Sequence, residues 1–215
     1  MSVQTFLISL LLSLFVTCIS AQTTRRFNAG LIVGATASQI DGDQYAGYHK
    51  LGLQAGLRGI ARLGNRSEAS LEFLYAQRGS QSSLFNNNQV LFPFKLTLNY
   101  VEIPVQWHYK DWFIEDDQDG FWRVSFNTGL SYARFINAKT GKDGSSIYDV
   151  VPDYLRKNDV SLLLGANFFI NRHVGFTFRY VRSLALMYQP NDWDNAPVDR
   201  GWISHCLYMQ GVYLF

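Results

Sequence analysis

Apolar residues recur at every second position along most of this chain. From residue 122 to 132 the even positions hold Trp, Val, Phe, Thr, Leu and Tyr, whereas the odd positions hold Arg, Ser, Asn, Gly and Ser. The same alternation returns at 69–75 and 174–180. Because successive side chains of a strand point to opposite faces, the pattern predicts an all-β chain. Each strand has one apolar face and one small or polar face.

Segments with this pattern predict eight strands. Several are 13 residues or longer, whereas strands of globular proteins average about 5–6 residues and a tilted strand crosses a bilayer with about 9–11. The even number and the lengths predict an eight-stranded antiparallel up-and-down transmembrane β-barrel. The predicted strands are 27–40, 48–63, 67–79, 94–110, 121–135, 158–170, 173–186 and 202–215.

Short and long connections alternate between these strands. The turns at 64–66 and 171–172 are tight, whereas four other connections are long and rich in Gly, Asn, Asp and Ser. Short periplasmic turns and long external loops are typical of outer-membrane barrels, so both mature termini are expected in the periplasm. The acidic connection 111–120 is longer than such turns usually are. The four long loops are 41–47, 80–93, 136–157 and 187–201.

The first 21 residues contain no charge and include an apolar run at 6–16. This run is too short for a membrane-spanning helix, which needs about 20 apolar residues. Small polar residues follow it, so the pattern predicts a signal peptide cleaved after Ala21 and a barrel domain over 22–215. Lipidation at Cys18 is disfavoured because Thr17 stands where a lipobox has a smaller residue.

Composition favours lipid outside the barrel. Charged residues make up 17% of the chain and aromatic residues 15%, whereas charged residues average about 25% in soluble proteins. Lys and Glu are nearly absent from the predicted strands, which disfavours a soluble barrel that binds a lipophile. The net charge of +2, without a basic stripe, predicts no nucleic-acid partner.

Aromatic residues near the predicted strand ends favour two girdles at the lipid interfaces. The last strand closes on Tyr213 and Phe215, an ending that the barrel-assembly machinery commonly recognises. We therefore expect that machinery and outer-membrane lipid as partners. One girdle would contain Trp107, Tyr109, Trp122 and Tyr213, and the other Tyr75, Tyr132, Tyr180 and Trp202.

Two carboxylates, Glu72 and Glu102, lie deep inside predicted strands. Arg58, Arg123 and Arg179 lie on the polar faces of theirs, and bidentate pairing with arginine offsets the cost of a buried carboxylate. We therefore predict a structural charge network in the lumen. An eight-stranded barrel is just wide enough for its own side chains, so a narrow channel is the less favoured alternative.

Three stretches carry a family resemblance. They are Gly47–Gly52 with the preceding Gly42-Asp43, Gln77–Ser80, and Leu98–Pro104, which includes Asn99, Tyr100, Glu102 and Pro104. Together they resemble the PorT-type outer-membrane β-barrel family of Bacteroidota over essentially the whole mature chain. The resemblance implies an eight-stranded outer-membrane barrel, and its namesake member is required for type IX secretion. Within the motif, Glu102 should face the lumen and Pro104 should sit at a bulge or strand edge.

No residue pattern predicts a catalytic, cofactor or metal site. The strongest enzymatic alternative, a lipid-modifying enzyme, would use Ser204 and His205, but neighbours on one strand point to opposite faces. Ser183 is a second candidate to approach His205. We therefore predict a non-enzymatic barrel for envelope organisation, partner binding or type IX secretion support, with loops 136–157 and 187–201 as its binding surface.

Overall fold

A computed structural model describes residues 26–43, 47–81, 95–115, 120–141, 151–192, 194 and 199–215. The predicted signal peptide lies outside these ranges. Within them, eight antiparallel strands form one closed barrel in chain order, and the first strand pairs with the last. The predicted fold class is confirmed. The strands are β1 Phe27–Asp41, β2 Lys50–Arg62, β3 Ser67–Gln81, β4 Lys95–Ile114, β5 Phe121–Thr140, β6 Asn158–Phe169, β7 Val174–Ser183 and β8 Ile203–Leu214.

Strands β4 and β5 are longer than the sequence pattern predicts. They pair from Leu96↔Thr140 to Ile114↔Phe121. Residues 111–114 of the predicted acidic connection are therefore strand, as are residues 136–140 of the predicted loop 136–157. Strand β7 in contrast ends at Ser183 rather than at 186. Among the described residues, no helix is long and apolar enough to cross a membrane.

The outward face of the barrel is apolar on every strand. Its exposed side chains form a band around the barrel, and contiguous apolar surfaces of this extent are rare on soluble monomers. Leucine, valine, phenylalanine and methionine dominate the band, so it is suited to contact with lipid. It includes Leu31, Val33, Leu51, Leu53, Leu57, Leu71, Phe73, Val105, Phe126, Leu130, Leu162, Leu164, Phe176, Phe178, Leu207 and Met209.

Five of the predicted girdle aromatics are exposed beside this band, namely Trp107, Tyr109 and Tyr213 towards the turn end and Tyr75 and Tyr132 towards the loop end. The girdle prediction for Trp202 is wrong. Its side chain is fully buried inside the loop end of the barrel. Trp122 and Tyr180 are half-buried.

Candidate functional site in the barrel lumen

Two arginines share one carboxylate in the half of the lumen nearer the turns. Arg58 Nε donates to Glu72 Oε1 at 2.7 Å, and Arg179 donates from Nη1 to Oε2 and from Nη2 to Oε1, both at 3.0 Å. All three residues are buried. This group, the arginine cluster, holds two cations against one anion. Arg58 Nη2 and Arg179 Nε have no hydrogen-bond partner among the described residues.

A second group, the acidic cluster, has the opposite balance. Arg78 donates from Nε to Glu102 Oε1 at 2.7 Å and from Nη1 to Asp159 Oδ2 at 2.9 Å. The Tyr208 hydroxyl also donates to Glu102 Oε1, at 2.9 Å. One buried arginine therefore faces two carboxylates, and the hydroxyls of Ser161 and Ser183 donate to Asp159.

The structure brings together three of the five residues of the predicted charge network. Arg58, Glu72 and Arg179 form the arginine cluster, whereas Glu102 belongs to the acidic cluster with Arg78, which sequence reasoning did not include. Arg123 joins neither cluster. Its guanidinium lies over the rings of Trp112, at 5.3 Å, and Phe168, at 5.9 Å.

Arg123 departs from the lumen because strand alternation breaks beside it. The β4–β5 ladder pairs Asp111↔Val124 and Phe113↔Trp122 but leaves Trp112 and Arg123 without ladder partners. Trp112 has a φ of 54°, in the left-handed region that bulky residues rarely adopt. The side chains at 111–113 are all exposed, so odd and even positions no longer point to opposite faces of the wall here.

The family-motif residues of β4 divide between the acidic cluster and the outer side of the wall. Tyr100 is buried, and the Arg78 guanidinium lies 5.3 Å from its ring centre. Asn99 accepts a hydrogen bond from the Tyr75 hydroxyl at 2.8 Å and donates to Asn137 at 2.6 Å. Asn99 thereby joins β3, β4 and β5 on the outer side of the wall, where Tyr75 and Asn137 are exposed.

The prediction that Pro104 sits at a bulge or strand edge is wrong. Pro104 lies in the interior of β4, opposite Ser131 of β5. Proline has no backbone N–H to donate to a ladder, and this is tolerated on the side of β4 that faces β3. There the β3–β4 ladder is interrupted between Leu71↔Val105 and Leu74↔Glu102. The register shift of β5 lies elsewhere, at Asn99/Tyr100.

Apolar side chains close the loop end of the lumen. Tyr188 and Trp202 pair across a short bridge, with ring centres 5.6 Å apart. Leu155 packs against the same group from the segment after β5. This apolar plug covers the acidic cluster. Its members are Ile40, Leu96, Leu98, Tyr100, Ala133, Leu155, Met187, Tyr188 and Trp202.

The turn end contains a large cavity by contrast. A cavity of about 1530 Å³, the vestibule, extends from the turns towards the arginine cluster and is lined by Arg58, Lys110 and Trp122 among others. At its floor, His108 hydrogen-bonds Ser70 at 2.7 Å and Asn167 at 3.2 Å. Among the described residues, the lumen is therefore filled at the loop end and contains a large cavity at the turn end.

His205 does not meet either candidate serine. Its ring hydrogen-bonds the Tyr180 hydroxyl at 2.9 Å and Asp41 at 2.6 Å. Ser183 instead donates to Asp159 in the lumen, and Ser204 lies within 3.7 Å of the buried Cys206 thiol. Ser183, the second candidate, does not approach His205, because the two side chains lie on opposite faces of the wall.

The last strand completes the barrel wall. Tyr213 points outward, and the backbone N–H of Phe215 donates to the carbonyl of Ala29 at 2.9 Å, next to the β1–β8 seam. The rings of Tyr213 and Phe215 make an edge contact with centres 5.8 Å apart. This arrangement leaves both aromatic residues exposed at the turn end.

Comparison with known proteins identified one family model, described as an outer membrane protein beta-barrel domain, which matches residues 20–189. No curated protein sequence matches the chain. Among solved structures, the attachment invasion locus protein Ail of Yersinia pestis has 12% identity and a TM-score of 0.46, covering 88% of this chain and 99% of its own. Neisserial surface protein A has 10% identity, coverage of 87% and 96%, and a TM-score of 0.42. OprG of Pseudomonas aeruginosa has 12% identity, coverage of 88% and 94%, and a TM-score of 0.38.

Proposed function

Because the chain belongs to the outer membrane protein beta-barrel domain family and is therefore a bacterial outer-membrane barrel, we propose that it is a non-enzymatic barrel that transports no solute. It acts through its loop-end surface in partner binding and envelope organisation. Type IX secretion support, the role of the namesake member of the PorT-type family that the chain resembles, is the specific role that we propose. The long loops face outward, both mature termini face the periplasm, and β8 with Tyr213 and Phe215 is the strand read by the barrel-assembly machinery.

The closed lumen is the observation that carries this proposal. A solute would have to cross the apolar plug and then the acidic cluster, where Arg78 is bonded to two carboxylates across the barrel. Leaving a buried charge without any partner costs about 3–5 kcal/mol, so a solute that displaced both carboxylates from Arg78 would meet a barrier of that order. The channel alternative is therefore disfavoured.

The non-enzymatic assignment is supported by the separation of His205 from the serines. A nucleophile and its base need hydrogen-bond distance, whereas Ser183 and Ser204 point into the lumen and His205 points outward. The Asp41–His205–Tyr180 chain ties β1, β7 and β8 together near the loop end. We assign it a structural role in the wall.

Planar-bilayer recording tests the closed lumen. We expect no conductance steps from the wild type, because both barriers are present. Glu102→Gln, which keeps the side-chain shape, is recorded beside it. Conductance steps in the wild type that disappear in this variant would show a charge-dependent pathway and refute the proposal.

A loop deletion tests the binding surface. Deleting 139–157 would also remove Leu155 from the plug and Arg156 from its 2.7 Å bridge to Asp192, so the narrower deletion of 142–150 is preferable. We expect it to leave a heat-modifiable barrel while abolishing co-purification of envelope partners and secretion of type IX cargo. A deletion of equal length within 82–94 serves as the control. Wild-type secretion by the 142–150 deletion would refute the role of this loop.

A further inference from the structure

The described lining of the vestibule carries more cationic than anionic side chains. Among its described lining residues, six side chains are lysine or arginine and one is a carboxylate, Glu68. Such an imbalance in a concave site attracts anions and raises their local concentration. The six cationic residues are Arg26, Arg58, Arg62, Arg66, Lys110 and Arg172.

Glu68 does not balance the cations nearest to it. Glu68 accepts a hydrogen bond from Lys110 Nζ at 2.7 Å and lies 3.7 Å from Arg62 Nε, so two cations already share it. Glu72, below the floor, is likewise shared by Arg58 and Arg179. Cations therefore outnumber carboxylates both in the described lining of the vestibule and in the arginine cluster beneath it.

Arg58 belongs both to the vestibule lining and to the arginine cluster. It lines the vestibule floor, its side chain is 1% exposed, and its Nη2 atom has no hydrogen-bond partner among the described residues. A buried cation without full compensation is costly, and an anion placed beside it offsets that cost. This unpartnered donor is an observation independent of the rim charges, and it also indicates an anionic occupant.

The spacing of the cations favours an extended occupant. Arg58 and Arg62 are four residues apart on β2, which corresponds to about 13 Å along a strand. Arg58 is held by Glu72 and Arg62 lies beside Glu68, so the two guanidinium groups do not converge on one small anion. The ligand must therefore carry several anionic groups along its length.

Aromatic side chains between the cations add an apolar requirement. Arg66 and Lys110 lie 5.4 Å and 5.7 Å from the ring centre of Trp122. Phe113 packs edge-on against Trp122, with ring centres 5.1 Å apart. A plain polyphosphate would leave these rings unused, whereas a peptide that mixes carboxylates with apolar side chains fits both features.

We propose that the vestibule binds an acidic peptide segment of a partner protein, with carboxylates placed against Arg62, Lys110 and Arg58 and apolar side chains against Trp122. The inference relies on the proposed orientation only to make that partner periplasmic. It does not depend on the role of the loops. The barrel would thus have a binding site at each end.

Fluorescence anisotropy on the barrel in lipid nanodiscs tests the proposal. The probe is a labelled peptide in which Glu alternates with Phe and Leu, and its counterpart with Gln in place of Glu is the control probe. The test variant combines Arg26→Gln, Arg62→Gln and Arg66→Gln, all on exposed residues. The matched control removes three exposed loop-end arginines by combining Arg134→Gln, Arg156→Gln and Arg182→Gln.

We expect the wild type and the loop-end control to bind the Glu peptide equally. The vestibule variant should bind at least about tenfold more weakly, and added salt should weaken binding further. Equal binding by the two triple variants, or equal binding of the Gln peptide, would overturn the proposal. Displacement of the peptide by inorganic tripolyphosphate at the peptide's own concentration would also overturn it, because it would show a site for small oxyanions.

A final experiment distinguishes a partner peptide from the chain's own acidic segment as the occupant of the vestibule. Glu115 and the aspartates at 116, 117 and 119 lie in sequence between Ile114 and Gly120, and Gly120 lines the vestibule. A variant with these four residues changed to their amides is titrated in parallel. Binding by this variant alone would assign the vestibule to segment 115–119 and overturn the proposal of a separate partner. Binding by neither protein overturns it outright.

Discussion

The two lumenal clusters should respond very differently to the same chemical change at their central glutamates. Glu72→Gln leaves Arg58 and Arg179 as two buried cations without a carboxylate. Glu102→Gln leaves Arg78 still bonded to Asp159 at 2.9 Å, so that cation keeps one counter-charge. The two substitutions are identical in size and polarity, and both glutamates are no more than 1% exposed.

The expected losses follow from this difference in charge balance. Removing the partner of a buried ion pair costs about 3–5 kcal/mol, so Glu72→Gln should lose at least about 3 kcal/mol of unfolding free energy. Glu102→Gln keeps the charged Arg78 donor but replaces one of its two carboxylate acceptors with a neutral amide, which costs about 1–2 kcal/mol. With a urea m-value of about 2 kcal/mol/M, the two midpoints should differ by roughly 1 M.

Urea unfolding in lipid vesicles, followed by tryptophan fluorescence, measures both losses, and heat-modifiable gel mobility confirms that each variant starts folded. A variant that replaces the whole arginine cluster, Glu72→Leu with Arg58→Met and Arg179→Met, should recover most of the stability lost by Glu72→Gln. If Glu72→Gln loses no more than Glu102→Gln, the charge-balance reasoning is wrong.

Three further substitutions test other parts of the barrel. Phe73→Arg places a charge on the lipid-facing band, which should cost about 2–4 kcal/mol near the bilayer midplane in vesicle refolding, whereas Ser131→Ala in the lumen should cost less than half of that. Trp202→Ala removes the largest side chain of the apolar plug and should cost about 3–5 kcal/mol, and it should still show no bilayer conductance because the acidic cluster remains. Gly79→Ala should cost about 1–3 kcal/mol because Gly79 has a φ of 141°, a conformation open essentially to glycine; an unchanged urea midpoint would contradict this.

The barrel itself could be predicted because period-two alternation and the loop pattern both follow from lipid outside and a small interior. The lumenal contacts were harder to predict. Arg78 stands near the predicted end of β3, yet its long side chain reaches Glu102 on the neighbouring strand. Asp159 stands only one residue inside the predicted strand 158–170, yet this second position of β6 already faces the lumen.

The errors share a physical cause. Alternation assigns faces only where the lumen is polar and the backbone is regular. At the loop end the lumen is filled with apolar side chains, so Trp202 had the same sequence appearance as an interfacial tryptophan. At the turn end, the left-handed Trp112 ended the regular alternation beside Arg123.

The buried Cys206 has a practical consequence for following assembly. It lies on the last strand, opposite Ser38 of the first, and its thiol faces the interior beside Tyr208. The mature sequence predicted to follow Ala21 contains no other cysteine. A maleimide added to cells should therefore react with chains whose first and last strands have not yet joined and should not react with completed barrels. The extent of labelling of this native residue over time would then measure the rate of barrel closure.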